Sequence, residues 1–313
     1  MDMKNLDVTQ LMTKDMADLE EISLEELEGL RAAIKRKLLF ITLPCALVML
    51  IGVILNKLPI ELIGVFLVIA SILFVAKQYF MFTAQYKNIF VRSSLNEVFD
   101  NLNYLPFQGL PREVIADTKM MRMGDSFYSN DYIEGDYKGV HVKQSDVRIT
   151  ETHHDSDGDS HTVTLFSGRW MVFDFNKEFK ANVQVVHKGF SNAKRKTIFG
   201  KKEELYKKVE MEDVAFNQEF KVYAQNEHDA FYILTPAMMD RIRRVSSSVN
   251  GNLILCFVDD NLHVGVNTRK DSFEASPFKK IDPETAKESV LHDIRIITDF
   301  VDELSLDTKL FKA

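Results

Sequence analysis

Cysteine is scarce in this chain: Cys45 and Cys256 are the two among 313 residues, too few for a disulfide framework and in keeping with a reducing compartment. Positive charge is also in deficit. A net charge of −7 sets aside a nucleic-acid binder, whose binding domain normally carries a basic excess. Absent too are the P-loop, the G-x-S-x-G elbow, the H-E-x-x-H helix and the dinucleotide fingerprint, each of which would bring a known chemistry with it. No repeat, Gly/Ser linker or low-complexity tract breaks the chain.

Apolar residues are plentiful and unevenly spread, a fact hidden by the mean hydropathy of −0.12. "LLFITLPCALVMLIGVIL" runs from Leu38 to Leu55, "NKLPIE" interrupts it, and "LIGVFLVIASILFVA" runs from Leu62 to Ala76. A bilayer core takes about 20 apolar residues per helix. The first run meets that length, and the second reaches it by recruiting Leu58 to Ile60 across Glu61. The pattern predicts a transmembrane hairpin over 37–77, with spans at about 38–55 and 58–76. Pro44 lies in the first turns of the first span, where a membrane tolerates a kink better than water does. A buried helical hairpin of a soluble protein is the competing reading, but such helices usually carry a polar stripe. A cleaved signal peptide fits poorly, because residues 1–37 are acidic and no small-residue cleavage site follows.

Basic residues near the span ends orient the hairpin. Arg31, Lys35, Arg36 and Lys37 precede it and Lys77, Lys87 and Arg92 follow, whereas the loop between holds only Lys57. Both termini are therefore expected in the cytoplasm, with the two spans in the membrane between them. Tyr79, Phe80 and Phe82 suit a headgroup-level anchor on that side.

The soluble parts divide by pattern. Residues 1–36 predict cytoplasmic N-terminal helices: Asp7 and Gln10 cap one from about Val8, Ser23 and Glu26 form the capping box of the next, and Leu6 and Ile22 supply staples. Val8, Leu11, Met12, Met16 and Leu19 make one apolar face that needs a partner, either the chain's own C-terminal domain or a neighbouring chain. Residues 78–124 read as a juxtamembrane helix and connector broken at Pro106 and Pro111. Residues 125–187 form a first β-rich half, with "GVHVKQSDVRIT", "TVTLFSG", "WMVFDFN" and "NVQVVHK" as separate strands. Residues 188–208 form a basic loop with Lys188, Lys194, Arg195, Lys196, Lys201, Lys202, Lys207 and Lys208, which either meets anionic headgroups or is simply solvated. Residues 209–313 form a second α+β half. There "EFKVYA" and "AFYIL" read as strands, Thr235 and Pro236 open a helix to about Ser247, and "NLILCFV" and "LHVGVN" make a hairpin around Asp260 and Asn261. Asp282 and Pro283 start a long final helix whose apolar side holds Val290, Leu291, Ile294, Ile297, Val301 and Leu304. The fold class expected is α+β: N-terminal helices and a transmembrane hairpin, then a cytoplasmic mixed region with largely antiparallel sheets.

Candidate chemistry is sparse. "ETHHDSDGDSHTVT" packs His153, His154 and His161 with Asp155, Asp157 and Asp159 into residues 151–164. A calcium loop from His153 would place Asp155, Asp157 and Gly158 suitably, yet its twelfth position would be Thr164 instead of Glu. Zinc would need His153 and His161 to meet across a hairpin, with Asp155 or Asp159 as third ligand. Asp, Ser and Gly are what an exposed hairpin tip uses in any case, so a turn is preferred to a metal site. The expected hairpin register puts Cys256 and His263 on one face, but without a third orienting group Cys256 reads as a small core hydrophobe. Glu210, Glu212 and Asp213 form a carboxylate cluster of the kind usually found on a solvated face. No catalytic residue, cofactor-binding residue or metal ligand is assigned, and no cofactor is expected.

"YKNIFVRSSLNEVF...YLPFQGL", "DYIEGDYKGVHVKQSDVRITET", "FSGRWMVFDFNKEFKANVQV" and above all "VEMEDVAFNQEFKVYAQNEHDAFYILTPAMMDRI" resemble an uncharacterised bacterial membrane-protein family, domain of unknown function 3137. The resemblance runs from about Tyr86 to Phe273, with Glu212 to Phe220 and Tyr232 to Met239 as its most specific blocks. It implies two N-terminal spans followed by a cytoplasmic α+β region, and it carries over no activity and no site. Two functions stay open: a membrane-anchored scaffold or regulatory module that binds a protein or small ligand, and an enzyme of unrecognised type acting on a lipid-derived or envelope substrate. The partners expected are the lipid bilayer and a protein partner or a second copy of the chain, with no nucleic acid. A transporter is disfavoured, because two spans without a central charge offer no pathway.

Overall fold

The computed structural model describes residues 22–155, 159–192 and 206–306. The helix expected from Val8 and most of the basic loop lie outside them. The chain divides into two compact units, Met1–Ser94 with Phe273–Val290, and Leu95–Ser272 with Leu291–Ala313.

The first unit is helical. Helix α1, Leu24–Lys37, starts on the capping box its sequence announces: the Ser23 hydroxyl accepts from the Glu26 backbone N–H at 3.2 Å, and the Glu26 carboxylate accepts from the Ser23 N–H at 2.9 Å. Residues Leu38–Thr42 then form a π-turn into α2, Leu43–Ile54. The turn falls just before Pro44, so the helix passes a residue that cannot donate a backbone hydrogen bond by locally changing its pitch. Leu58–Tyr86 form α3, which continues through a second π-turn, Lys87–Arg92, into the short α4, Ser93–Asn96. The continuous helices Leu24–Ile54 and Leu58–Asn96 are long and apolar enough to cross a membrane.

Two glycines set how closely α2 and α3 approach. A Cβ added at Gly64 would lie 2.4 Å from Met49 Cα, and one at Gly52 would lie 2.4 Å from the Glu61 backbone nitrogen. Only hydrogen fits at either point, which is the small-residue packing that membrane helices use. Most large side chains of these helices face outward, with Phe40, Ile54 and Phe66 each at least 70% exposed. Elsewhere in the unit, Lys87 is buried and pairs with Glu274 at 3.2 Å, while Glu28 accepts from the Ile281 backbone at 2.6 Å.

The second unit is built on one seven-stranded antiparallel sheet. Its strands are β1 Asp100–Leu105, β2 Ser126–Tyr137, β3 Val140–His154, β4 Ser160–His187, β5 Lys207–Val209, β6 Phe220–Ala224 and β7 Asn252–Asn267. The order is β1-β2-β3-β4-β6-β5, with β7 on β4. Strand β4 organises this: β3 pairs with its first half, β6 with its last residues, and β7 follows it along most of its length. The three segments read as separate strands are thus one strand of 28 residues, irregular in register around Asp174 to Val183.

Helices fill the remaining sequence: α5 Arg112–Ala116, α6 Val214–Glu219, α7 Glu227–Ile233, α8 Pro236–Ser248 and α9 Pro283–Leu304. Thr235 caps α8 and Asp282 caps the start of α9 as their sequences indicate, at 3.3 Å and 3.1 Å from the Met238 and Thr285 backbone nitrogens. The segment "AFYIL" departs from expectation. Its first four residues end α7, because Asn226 accepts from the His228 backbone at 3.1 Å and Ala230 and Ile233, one helical turn apart, are both buried. Local capping here overrides the strand propensity of Phe, Tyr and Ile.

The hairpin around Asp260 and Asn261 does not form either. β7 stays antiparallel to β4 from Ile254 to Val266 and bends at Asp259, a non-glycine residue in the left-handed region at φ 52°. Both faces are covered, so Leu253 to Phe257 are buried without alternation. A run of that kind marks a strand sandwiched between layers, and it contains no turn.

One sheet face carries Val147, Ile149, Phe166, Trp170, Val172, Ile254 and Cys256, covered by Leu110, Ile115, Met120 and Met121 of the α5 region. The opposite face meets the second-unit part of α9, where Phe300 packs on Phe173 with ring centres 6.2 Å apart. Removing a buried ring such as Trp170 would cost about 3–5 kcal/mol.

Candidate functional site

Under α9 the sheet face turns polar. Asp146 of β3 and Arg169 of β4 are direct partners in register, and both are buried. Ser272 donates its hydroxyl to Asp146 at 3.1 Å and its backbone N–H to the other carboxylate oxygen, while Arg169 donates to the Ser272 hydroxyl and to the Asp293 backbone carbonyl. The guanidinium lies 3.9 Å from Asp146 and 3.6 Å from the Asp293 carboxylate. Burial still dominates at Asp146, pushing its carboxyl up to about 6 despite the attraction of Arg169 and the two bonds from Ser272. Strand and loop are locked together by this cluster, much as a buried network specifies one packing.

Two residues further along the same face, beside the bulge at Ile149 and Thr150, lies a cleft of about 440 Å³ lined by Arg148, Val163, Thr164, Ser167, Arg269 and Asp271. Arg148 stands opposite Ser167 in register, and the Arg269 backbone N–H donates to the Ser167 carbonyl at 2.8 Å. Arg269 itself adopts φ 60°, a strained conformation for a residue with a Cβ, held by Thr268 through bonds to Lys270 at 3.1 Å and 3.2 Å. Neither guanidinium has an ion-pair or hydrogen-bond partner for its side chain among the described residues. Chemically the cleft offers two fork-shaped cations, two hydroxyls and one carboxylate. Nothing in the sequence reading singled out these residues. A weak signal was present: Asp146 and Arg148 share one face of a strand otherwise rich in buried side chains.

A smaller cavity of about 220 Å³ opens on the other face, lined by Leu110, Val114, His141, Lys143, Val172, Asp174, Asn261 and His263. Burial lowers His263 to about 4, so its imidazole is neutral at ordinary pH.

The residues weighed for chemistry are placed as follows. His153 and His161 pair across the β3–β4 hairpin with rings stacked 5.4 Å apart. Each faces a carboxylate, Glu151 at 3.2 Å and Asp155 at 3.6 Å. The tip closes with Asp155 donating its N–H to the Asp159 carbonyl at 2.8 Å, so the segment is a hairpin connection; Asp157 and Gly158 lie outside the described residues. Among the described residues, no group of three or more His, Cys, Asp and Glu side chains stands where it could hold a metal ion.

Cys256 and His263 are not brought together. They sit seven residues apart on a continuous strand, on the order of 20 Å at ~3.3 Å per residue. The thiol's neighbour is the Thr118 carbonyl at 3.9 Å, and burial raises its pKa far above the range of a reactive thiol. The carboxylate cluster also disperses: Asp213 caps α6 by accepting from the Phe216 N–H at 3.0 Å, Glu210 pairs with Lys208, and Glu212 is exposed.

Residues 164–306 match the family described as "Protein of unknown function (DUF3137)". The match supports the part of the resemblance that runs from Thr164 to Phe273 and continues through the whole of α9; it does not reach residues 86–163. No curated protein matches the chain. Among solved structures, the crystal structure of the mycobacterial trehalose monomycolate transport factor A, TtfA, is similar at 11% identity and a TM-score of 0.39, over 72% of this chain and 94% of that one. At those values the likeness carries no conclusion about this chain.

Proposed function

We propose that this chain is anchored in the bacterial inner membrane by the α2–α3 hairpin, with both termini cytoplasmic, and that its sheet-based unit is a binding, scaffold or regulatory module. The observation that carries the reading is the outward row of Phe40, Leu47, Ile54, Leu62, Phe66 and Leu73, all more than half exposed. Moving each such side chain out of water is worth about 1.5–3 kcal/mol, a gain that a bilayer supplies along the whole length of both helices. Lys35, Arg36 and Lys37 at one end and Lys77 at the other support the orientation.

The cleft favours binding over turnover. Its groups can hold a ligand by charge and hydrogen bonds, while the nearby Ser272 hydroxyl is committed on both sides, to Asp146 and to Arg169. Extraction of the tagged full-length protein in mild detergent, with mass spectrometry of what co-purifies, tests this against a version lacking residues 95–313. A stoichiometric partner or ligand lost with that deletion is the expected result. Identical recoveries from both versions would overturn the reading.

A further inference from the structure

We propose that the cleft formed by Arg148, Ser167, Thr164 and Arg269 is a binding site for an oxyanion, a phosphate-type group held by two guanidinium forks. The inference rests on the reading of this unit as a binding module and names the chemistry of its ligand.

Three observations carry it. First, among the described residues neither arginine side chain is in an ion pair or hydrogen bond, whereas Arg169, one register step away on the same face, is consumed by Asp146, Ser272 and Asp293. Two guanidiniums facing a cleft with a single carboxylate leave a net positive charge for a ligand, and the planar fork of arginine matches two oxygens of one tetrahedral anion. Second, backbone bonding brings the two positions to one cleft, where both side chains are exposed. The backbone of Arg148 is set by the β3–β4 register, and that of Arg269 by its bond to Ser167 and its left-handed conformation. Third, the remaining lining suits a small anion. Ser167 and Thr164 add hydroxyl donors, and Val163 is the one apolar residue of the lining, which is mostly polar. A cation would meet two like charges.

Asp271 opposes the anion and therefore tunes it. With two arginines and one aspartate the lining keeps a net charge of about +1, whose attraction grows with ligand charge and so favours a phosphate, carrying about −1.5 to −2 at pH 7, over a monoanion. That preference separates phosphate-type ligands from simple carboxylates.

Two sources share this chemistry, a soluble phosphorylated small molecule and an anionic lipid headgroup. The test uses full-length protein reconstituted in phosphatidylcholine nanodiscs and titrates inorganic phosphate at constant ionic strength by calorimetry. Saturable binding is expected, weakened about tenfold or more in the Arg148→Gln/Arg269→Gln pair, with the melting temperature in phosphate-free buffer unchanged. Should that pair fail to fold, Arg148→Lys keeps the charge and removes the fork, and a fall of several-fold is expected. Asp271→Asn is expected to tighten binding several-fold. Repeating the titration in phosphatidylglycerol nanodiscs separates the sources: loss of phosphate binding through competition assigns the site to headgroups, and unchanged binding assigns it to a soluble ligand. Phosphate that does not saturate, or that binds wild type and both arginine variants alike, would overturn the inference. The anchored-module reading would survive that result if the co-purifying partner were still lost with residues 95–313.

Discussion

Trp170 donates its indole N–H to Nδ1 of His263, 3.4 Å away, across the paired strands β4 and β7. That bond needs an unprotonated nitrogen, and burial enforces it by holding the imidazole down at about 4. An imidazole depressed below its unfolded value contributes stability that is present above about pH 6.5 and lost as pH falls through 4. Asp146 behaves in the opposite sense. Its carboxyl is raised to about 6, so its contribution is fully present below the ordinary carboxylate value and lost as pH rises through 6. Each amounts to about 3 kcal/mol, and over the same window they offset each other. Asp146→Asn should therefore expose the histidine, giving stability that climbs from pH 4 to 6.5 more steeply than in wild type. His263→Asn, whose amide oxygen can replace Nδ1 as acceptor, should show stability falling from pH 4 to 6 relative to wild type. Chemical denaturation across that range checks both, and parallel curves for all three proteins would contradict the assignment.

Gln144 gives a second expectation. It is fully buried on β3 opposite Met171, and neither its amide nitrogen nor its amide oxygen has a hydrogen-bond partner among the described residues. A buried amide without partners costs about 1–3 kcal/mol, and methionine has a similar volume without the polar atoms. Gln144→Met should raise unfolding free energy by about 1–2 kcal/mol, measured by urea denaturation. A loss of stability would mean that the amide is satisfied in solution.

Much of the helical architecture was legible because helix starts are local. Ser23 with Glu26, Thr235 with Pro236 and Asp282 with Pro283 each announce a cap within four residues, and the structure uses all three. Sheet pairing is not local. The apolar run of β7 gave no sign that Asp259 is a bend and not a turn, because that depends on β4 continuing beside it for its whole length. In "AFYIL" the deciding feature is local but weak in sequence: one cap at Asn226 outweighs the strand propensity of Phe, Tyr and Ile. The cleft was invisible, since Arg148, Ser167 and Arg269 are brought together by register between segments 100 residues apart in sequence. Charge at one buried-face position of β3 was the trace it left.

Glycine substitutions separate close packing from open space. Gly64→Leu would drive a side chain into the Met49 backbone and should cost about 1–3 kcal/mol, or split the α2–α3 pair. Gly29 in α1 has no atom within 4 Å of an added Cβ, so Gly29→Ala should be neutral or stabilising by up to about 1 kcal/mol. Thermal unfolding in detergent distinguishes them, and equal shifts for both would count against the hairpin packing.

The central claim, a cytoplasmic module held by a membrane hairpin, is tested most directly by labelling cysteines in intact cells with a membrane-impermeant maleimide. One cysteine replaces Asn56 in the α2–α3 loop and another, in a separate protein, replaces exposed Lys270 in the sheet unit; native Cys256 is buried. Labelling of the Asn56→Cys protein from outside, with Lys270→Cys reached only after the cells are permeabilised, is the predicted result. Labelling of Lys270→Cys from outside, or protection of both sites until permeabilisation, would contradict it.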